Sequence, residues 1–491
     1  MAKKAIIIGA GFAGLAAATK LAKEGFDVTL LEKNEQIGGR ARKLEIDGFT
    51  FDMGPSWYWM PDVFEDYFKE FNTTVAEHYD LVRLDPSYAV FFGKDDVFRV
   101  PANLSEFYKL FEQQEPGSSV KLKKFLADAE YKYKVSMSDF VHKPSLSILE
   151  FMDFRILNAA LRMDLFKSIS SYIHKHFKDP KLVQLLEFPV LFLGAKPKET
   201  PALYSMMNYA DIVLGTWYPK GGMVKIVDAM VKVAIRQGVK IKTGETVEKI
   251  NIENDLAISV VSNGIALEAD VVIGAADYHH VEQHLLEKQY RNYGEKYWKS
   301  RKMAPSCLMY YIGLDKEIKG LEHHNLFFDA PFDQHAEEIY DRPQWPSDPL
   351  FYSTCSTKTD KETAPAGKEN LVLLIPIAAD LEDNEAIREK YFNIMMDRLE
   401  HLTGQSIKAH VIVKKSYAVN DFKSDYNSFG GNAYGLANTL MQTAILKPAL
   451  KNKKVRNLYY AGQLTVPGPG VPPSIISGLV AAREIVKKFK V

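Results

Sequence analysis

Glycines 9, 11 and 14 stand directly after the apolar run Ala5-Ile6-Ile7-Ile8, in the order Gly9-Ala10-Gly11-Phe12-Ala13-Gly14. A loop of this kind can hold a pyrophosphate. The first glycine permits a tight turn, the second lets the backbone approach the phosphates, and the third lets a helix pack closely on a strand. Phe12 and Ala13 belong to the loop against the cofactor, and the N-terminus of the helix that follows faces the anion with unpaired N–H groups. Glu32 follows Gly14 by 18 residues, with Lys33 next to it. A carboxylate here can accept hydrogen bonds from ribose hydroxyls, and its charge disfavours a 2′-phosphate. A lone glycine loop is a weak signal. The order strand, loop, helix, strand and acid is a strong one.

Two further groups could do chemistry close by. In Gly38-Gly39-Arg40-Ala41-Arg42 an arginine follows a glycine pair, and its planar fork can grip a pyrophosphate bidentately. The turn Asp52-Met53-Gly54-Pro55-Ser56-Trp57 leads into an aromatic patch. Acid–base candidates are weaker. Asp153 and Arg155 lie in a basic apolar stretch, and His279-His280 follow a small-residue turn. Each is more often structural than catalytic. No His, Asp or Glu cluster has metal-ligand spacing.

These groups need a scaffold. Ala5–Ile8 and Val28–Leu31 read as buried parallel strands. Leu15–Lys23 reads as the helix between them, ended by Gly25. Far downstream, Val239–Ile241, Gly244–Ile250 and the run Ala269–Asp277, which passes through Ala276, read as further strands and turns. Leu458–Tyr460 reads as a last strand. It runs through Gly462-Gln463 and the rigid loop Pro467–Pro473 into a helix from Ser474 onward. A helix N-terminus there can stabilise developing negative charge on a bound group.

The chain has 491 residues, enough for two or three lobes. Lys+Arg and Asp+Glu are both 62, so there is no basic excess to suit a nucleic acid. The only cysteines are Cys307 and Cys355, which give no disulfide framework and fit a reducing, intracellular setting. No targeting signal and no spanning-length apolar segment are visible.

The Gly38–Arg42 segment resembles the second fingerprint of the large superfamily of FAD-dependent amine oxidases and carotenoid desaturases. That resemblance implies FAD, with Arg40 and Arg42 touching or flanking it and Gly54, Pro55, Ser56 and Trp57 along the flavin ring. It also implies a backbone contact from Val247 to the adenine, and contacts at Ala276, Gly462, Val471, Pro472 and Ser474. Many relatives carry an acid where this chain has Gln463, so a side-chain contact there is in doubt. Three patches, Gly215–Met223, Gly431–Pro448 and Pro467–Pro473, resemble the bacterial and fungal type of phytoene desaturase over nearly the whole length. No cysteine follows Cys355, so a cysteine tether near the final loop is excluded and the FAD is expected to be non-covalent.

The resemblance implies an α/β fold: a Rossmann-like FAD-binding domain built from residues 1–63, 203–300 and 422–491. An inserted α+β substrate lobe takes 64–202 and 301–421, with a helical membrane-facing part. The implied reaction is desaturation of an acyclic C40 carotenoid by hydride transfer to FAD, either of phytoene type or 3,4-desaturation of a 1-hydroxycarotenoid. Oxygen or a membrane quinone would reoxidise the flavin. A carotenoid cis–trans isomerase and an amine oxidase are the alternatives, and a flavin-binding membrane carrier is a non-enzymatic one. Leu146–Phe177 reads as amphipathic helix with basic residues, suited to lying on the cytoplasmic side of a membrane rather than across it. The same pattern also describes a core helix with a solvated face. Likewise, 25 Tyr and 28 Phe suit an apolar tunnel or simply a large core.

Overall fold

The run Lys4–Ile8 is the middle strand of a five-stranded sheet in a computed structural model that describes residues 2–151 and 163–489. Across the sheet the order is Leu458–Tyr460, Val271–Gly274, Lys4–Ile8, Asp27–Leu31 and Lys240–Lys242, all parallel. Parallel strands are covered on both faces, which is why their sequences read as continuous apolar runs rather than alternating ones. On one face the helix Phe12–Lys23 packs against the final helix, Val471–Phe489, and against Val224–Arg236. The final helix begins three residues earlier than the sequence suggests. Pro472 and Pro473 fall in its first turn, where a missing N–H costs nothing.

The second sheet has seven strands. Its order is Val411–Tyr417, Ser306–Leu314, Glu369–Ile377, Phe351–Thr354, His324–Phe327, Tyr88–Gly93 and Asp96–Val100. Every pair is antiparallel except His324–Phe327 with Tyr88–Gly93. Ser306–Leu314 is buried at every residue, so its period of two is hidden by composition. The packing restores it. Leu308, Tyr310 and Ile312 face the helix Glu385–Thr403 through Phe392, Met395, Met396 and Leu399. Cys307, Met309 and Tyr311 face the other way, against Phe49 and Phe51 of the hairpin Lys43–Ile46/Phe49–Asp52.

The stretch 64–202 is mainly helical, with helices Leu104–Gln114, Ser118–Val135, Ile169–His176 and Pro180–Glu187. Two of these start on clear signals. Asn103 accepts from the Ser105 and Glu106 N–H groups, and Asp179 accepts from Lys181 and Leu182 ahead of a first-turn proline. The same stretch also gives the seven-stranded sheet the last two strands at one end, 88–93 and the edge strand 96–100. The amphipathic stretch 146–177 is described only at its ends, as a short turn Ile148–Phe151 and the helix Ile169–His176. Asp153 and Arg155 lie outside the described residues.

Candidate functional site

One cavity of about 1020 Å³ lies between the two sheets. Apart from Gly14 and Arg42, every residue that the sequence assigned to a cofactor lines it, from Gly9 and Glu32 to Val247, Ala276, Gln463 and Ser474. Gly14 does something else. A Cβ there would sit 1.9 Å from the Gly9 carbonyl oxygen, so this glycine is what lets the first helix pack onto the loop. Gly11 caps that helix without a side chain, leaving its first N–H groups to be satisfied from the cavity.

Glu32 is buried, and its carboxylate is already engaged. One oxygen accepts from the Ala10 N–H at 2.9 Å, and the other from the Asn34 N–H and amide at 3.0 and 3.1 Å. The carboxylate thus ties the glycine loop to the turn after the second strand. It still has lone pairs for a ribose, since a carboxylate offers about four acceptor sites.

Arg40 and Arg42 divide. Arg42 does not line the cavity; it pairs with Asp425 and Tyr426, which do, and its guanidinium lies over the Tyr426 ring. Arg40 lines the cavity. Its Nη2 donates to Ser428 Oγ at 3.0 Å and to the Asn432 carbonyl at 3.1 Å, and its plane lies over the Tyr426 ring. With the Gln463 amide oxygen turned toward the guanidinium, it accepts from Nη2 and Nη1 at 3.0 and 3.3 Å. Gln463 therefore holds Arg40, a role the sequence did not show. Among the described residues Arg40 has no carboxylate partner, and its buried Nε has no hydrogen bond. Burial pulls the Arg40 pKa down, partly offset by Tyr426 and Asp277. A buried guanidinium without a counter-anion, beside a helix N-terminus, suits the pyrophosphate of a dinucleotide. The residues present fit FAD.

The turn at Gly54 is fixed from behind. Asp52 Oδ1 accepts from the Met223 N–H at 2.8 Å and so anchors the start of the helix Val224–Arg236. Burial raises the Asp52 pKa to about 7, opposed by the Met223 and Val224 backbone bonds. Gly222 has φ +92°, and a Cβ there would meet Asp52 Oδ1 at 2.8 Å. The patches Gly215–Met223 and Asp52–Trp57 are thus two halves of one support. Asp277, also cavity-lining, caps the helix Tyr278–His284 through the His280 N–H, and burial raises its pKa to about 6. His280 lines the cavity as well, with its Nε2 3.3 Å from the Asn427 amide.

Beyond this polar end the wall becomes apolar. Register across the seven-stranded sheet places Met309, Leu374, Tyr352 and Leu326 in one row on one face, and all four line the cavity. Phe328, Phe332 and Leu350 extend that wall, and Met137, Phe140, Met163 and Leu165 line another side. None of these has a motif that sequence reading could have found. Among the described residues no group of His, Cys, Asp and Glu could hold a metal ion.

The chain belongs to the flavin containing amine oxidoreductase family, whose profile matches residues 12–486. Two relatives place it on that family's carotenoid-desaturase side. A carotenoid 3,4-desaturase of Haloarcula japonica is 39% identical over 98% of this chain and 97% of its own length. A zeta-carotene-forming phytoene desaturase of Myxococcus xanthus is 29% identical over 99% and 94%. Among solved structures, an oxidoreductase of Methanosarcina mazei shares the fold with a TM-score of 0.65, at 19% identity over 98% of this chain and all of that one. Cyclohexylamine oxidase of Brevibacterium oxydans does so at 0.60 and 16%, over the full length of both.

Proposed function

We propose that the protein is an FAD-dependent desaturase that introduces C=C bonds into an acyclic C40 carotenoid. The observation that carries this reading is the cavity itself. It joins a phosphate-binding end to a long apolar wall, in a chain 39% identical over nearly all its length to a carotenoid 3,4-desaturase. Bound FAD supplies a two-electron acceptor for the hydride lost from one of two adjacent carbons. The protein binds it non-covalently through the Gly9–Gly11 loop, Arg40 and the N-terminal turns of the helices beginning at Phe12 and Val471. Glu32 and Val247 hold the adenosine end, and the Gly54–Trp57 turn supports the ring. The apolar wall aligns the polyene and excludes water, so the incipient allylic cation is not quenched.

The decisive experiment is anaerobic incubation of the purified protein in liposomes with phytoene or a 1-hydroxycarotenoid. The flavin should bleach, and the product should be lighter by two hydrogens. Bleaching with neither substrate despite bound FAD would overturn the reading. A product of unchanged mass would identify an isomerase, and peroxide release with an amine an amine oxidase. Oxygen or a quinone then reoxidises the flavin.

The substrate dissolves in bilayers, and the protein docks on one. Among the described residues no helix is long and apolar enough to cross a membrane. Two exposed apolar segments border the cavity wall instead. One is made by Leu146 and Leu149 (71% exposed), next to the cavity residue Ser145, and by Phe166 (89%), next to the cavity residue Leu165, on either side of the residues not described. The other contains Leu440, Met441 (70%), Ile445 and Leu446, around the cavity residues Thr443 and Ala444. Clustered exposed apolar side chains of this kind mark contact surfaces. Serine substitution of Met441, Ile445 and Leu446 should weaken flotation with liposomes while the FAD spectrum is kept. Unchanged flotation would exclude this segment.

A further inference from the structure

Within the strand row that forms the apolar wall, one residue is polar and the flavin chemistry does not use it. Tyr352 stands in the row between Leu326 and Leu374, facing the cavity. Behind it, its hydroxyl is bracketed. Ser56 Oγ lies 2.8 Å away on one side, and His324 Nδ1 lies 2.7 Å away on the other. Ser56 comes from the turn that supports the flavin ring, so this hydroxyl sits where cofactor and polyene must meet.

His324 is held unusually well for a core histidine. It is fully buried, and the Trp57 ring stacks on it at 4.1 Å with 13° between the planes. Its Nε2 has no hydrogen-bond partner. Another wall histidine shows what a purely structural one looks like. His335 gives Nε2 to the Pro376 carbonyl at 2.8 Å and takes the Leu350 N–H on Nδ1 at 3.1 Å, so both nitrogens are spent on the backbone. Besides Tyr352, the titratable group beside His324 is His323, whose Nδ1 is bound to Thr359 Oγ1 at 2.8 Å. Burial, reinforced by His323, holds His324 well below its ordinary pKa, so the ring is neutral and Nδ1 is free to accept.

We propose that Tyr352 receives the proton released in desaturation and passes its own to His324. The hydride leaves one carbon with its electron pair and goes to FAD. On the adjacent carbon the C–H bond breaks, and its electron pair becomes the new π bond. That proton goes to the Tyr352 oxygen as the phenolic proton moves to His324 Nδ1. The sum is one C=C bond, a two-electron-reduced flavin and one proton on the imidazole. This requires the proton of neutral His324 to be on Nε2. The scheme requires Ser56 to donate to the Tyr352 oxygen, the neighbouring Thr354 hydroxyl to donate elsewhere, and the remaining lone pair to face the cavity. A weak base suffices, because a carbon next to an allylic cation is strongly acidic. Tyr352 touches the substrate in this scheme, whereas His324, Ser56 and Trp57 are positioning and relay residues.

The assignment rests on the desaturase reading, which bleaching of the wild-type flavin tests separately. The test is single-turnover anaerobic bleaching of the FAD-loaded protein, in water and in D2O, with the carotenoid that bleaches wild type. Tyr352→Phe keeps the ring and loses the hydroxyl. His324→Gln keeps a hydrogen-bond acceptor and loses the base. Each should slow bleaching about 100-fold or more, the usual share of a proton-transfer group, with FAD and carotenoid binding retained. Wild type should be slower in D2O, and Tyr352→Phe should be slow in both solvents alike. Tyr352→Phe at the wild-type rate, or slowed while keeping the full solvent effect, overturns the assignment. If His324→Gln does not fold, Tyr352→Phe decides alone.

Discussion

Replacing Arg40 by methionine should move cofactor affinity and apoprotein stability in different ways. In the apoprotein Arg40 is half-buried against the cavity, has no carboxylate partner among the described residues and leaves a buried Nε unbonded. Its contacts are Ser428 Oγ, the Asn432 carbonyl, the Gln463 amide and the Tyr426 ring. Losing them leaves neutral acceptors short of a donor, at about 1 kcal/mol each. Removing an unpaired buried charge recovers desolvation energy of similar or larger size. Apoprotein stability should therefore stay within about 1–2 kcal/mol of wild type. The holoprotein has no such offset. A charge-assisted hydrogen bond is worth about 1.5–3 kcal/mol, so a fork on the pyrophosphate lost with Arg40→Met raises the FAD Kd about 100-fold or more. At a fixed excess of FAD that removes about 2.7 kcal/mol of ligand stabilisation. Flavin fluorescence quenching gives the Kd, and urea unfolding with and without FAD gives both stabilities. Unchanged FAD affinity together with a collapse of the apoprotein would show that Arg40 is a structural tie to the 428–432 turn, and would refute the reasoning.

Other perturbations have equally definite outcomes. Lys447 is buried, its Nζ bonds only to Asn438 Oδ1 at 2.7 Å, and burial lowers its pKa from about 10.5 to about 7. Between those values the unfolded chain holds a proton that the folded one has released, so stability should rise with pH by up to about 1.4 kcal/mol per unit. Lys447→Met should flatten that slope in urea unfolding between pH 7 and 9 and stabilise the protein at pH 7; an unchanged slope would contradict the buried, unpaired state. Gly14→Ala puts a methyl 1.9 Å from the Gly9 carbonyl oxygen, so the protein should lose FAD binding and several kcal/mol of stability, read by flavin retention on gel filtration and by unfolding. Asp52→Ala removes the acceptor for the Met223 N–H and should cost about 1–2 kcal/mol in thermal or urea unfolding, the worth of a helix cap.

The nucleotide end was legible in the sequence because its geometry is settled within a few dozen residues. The glycine spacing, the acid at position 32 and the strand–helix–strand order each restrict the same local turn, and the cavity takes up all of them but Gly14. The polyene side was not legible, because its wall is made by register between distant strands. Met309, Leu374, Tyr352 and Leu326 share a face only through pairings no local pattern encodes, and Ser306–Leu314 is buried on both faces, so even its alternation is masked. His323-His324 carries no motif, and nothing local links it to Ser56 or Tyr352. The two arginines put the limit most sharply. Arg40 and Arg42 are the same residue type, two positions apart, after the same glycine pair. Arg40 sits in a short turn and Arg42 begins extended backbone, yet both guanidiniums lie over the Tyr426 ring. What makes Arg42 a structural residue is Asp425, 383 positions away, whereas among the described residues Arg40 has no salt bridge and feels only the longer-range pull of Asp277. Which arginine is left without an ion-pair partner is therefore decided by what the rest of the chain delivers to each, and the motif alone cannot say.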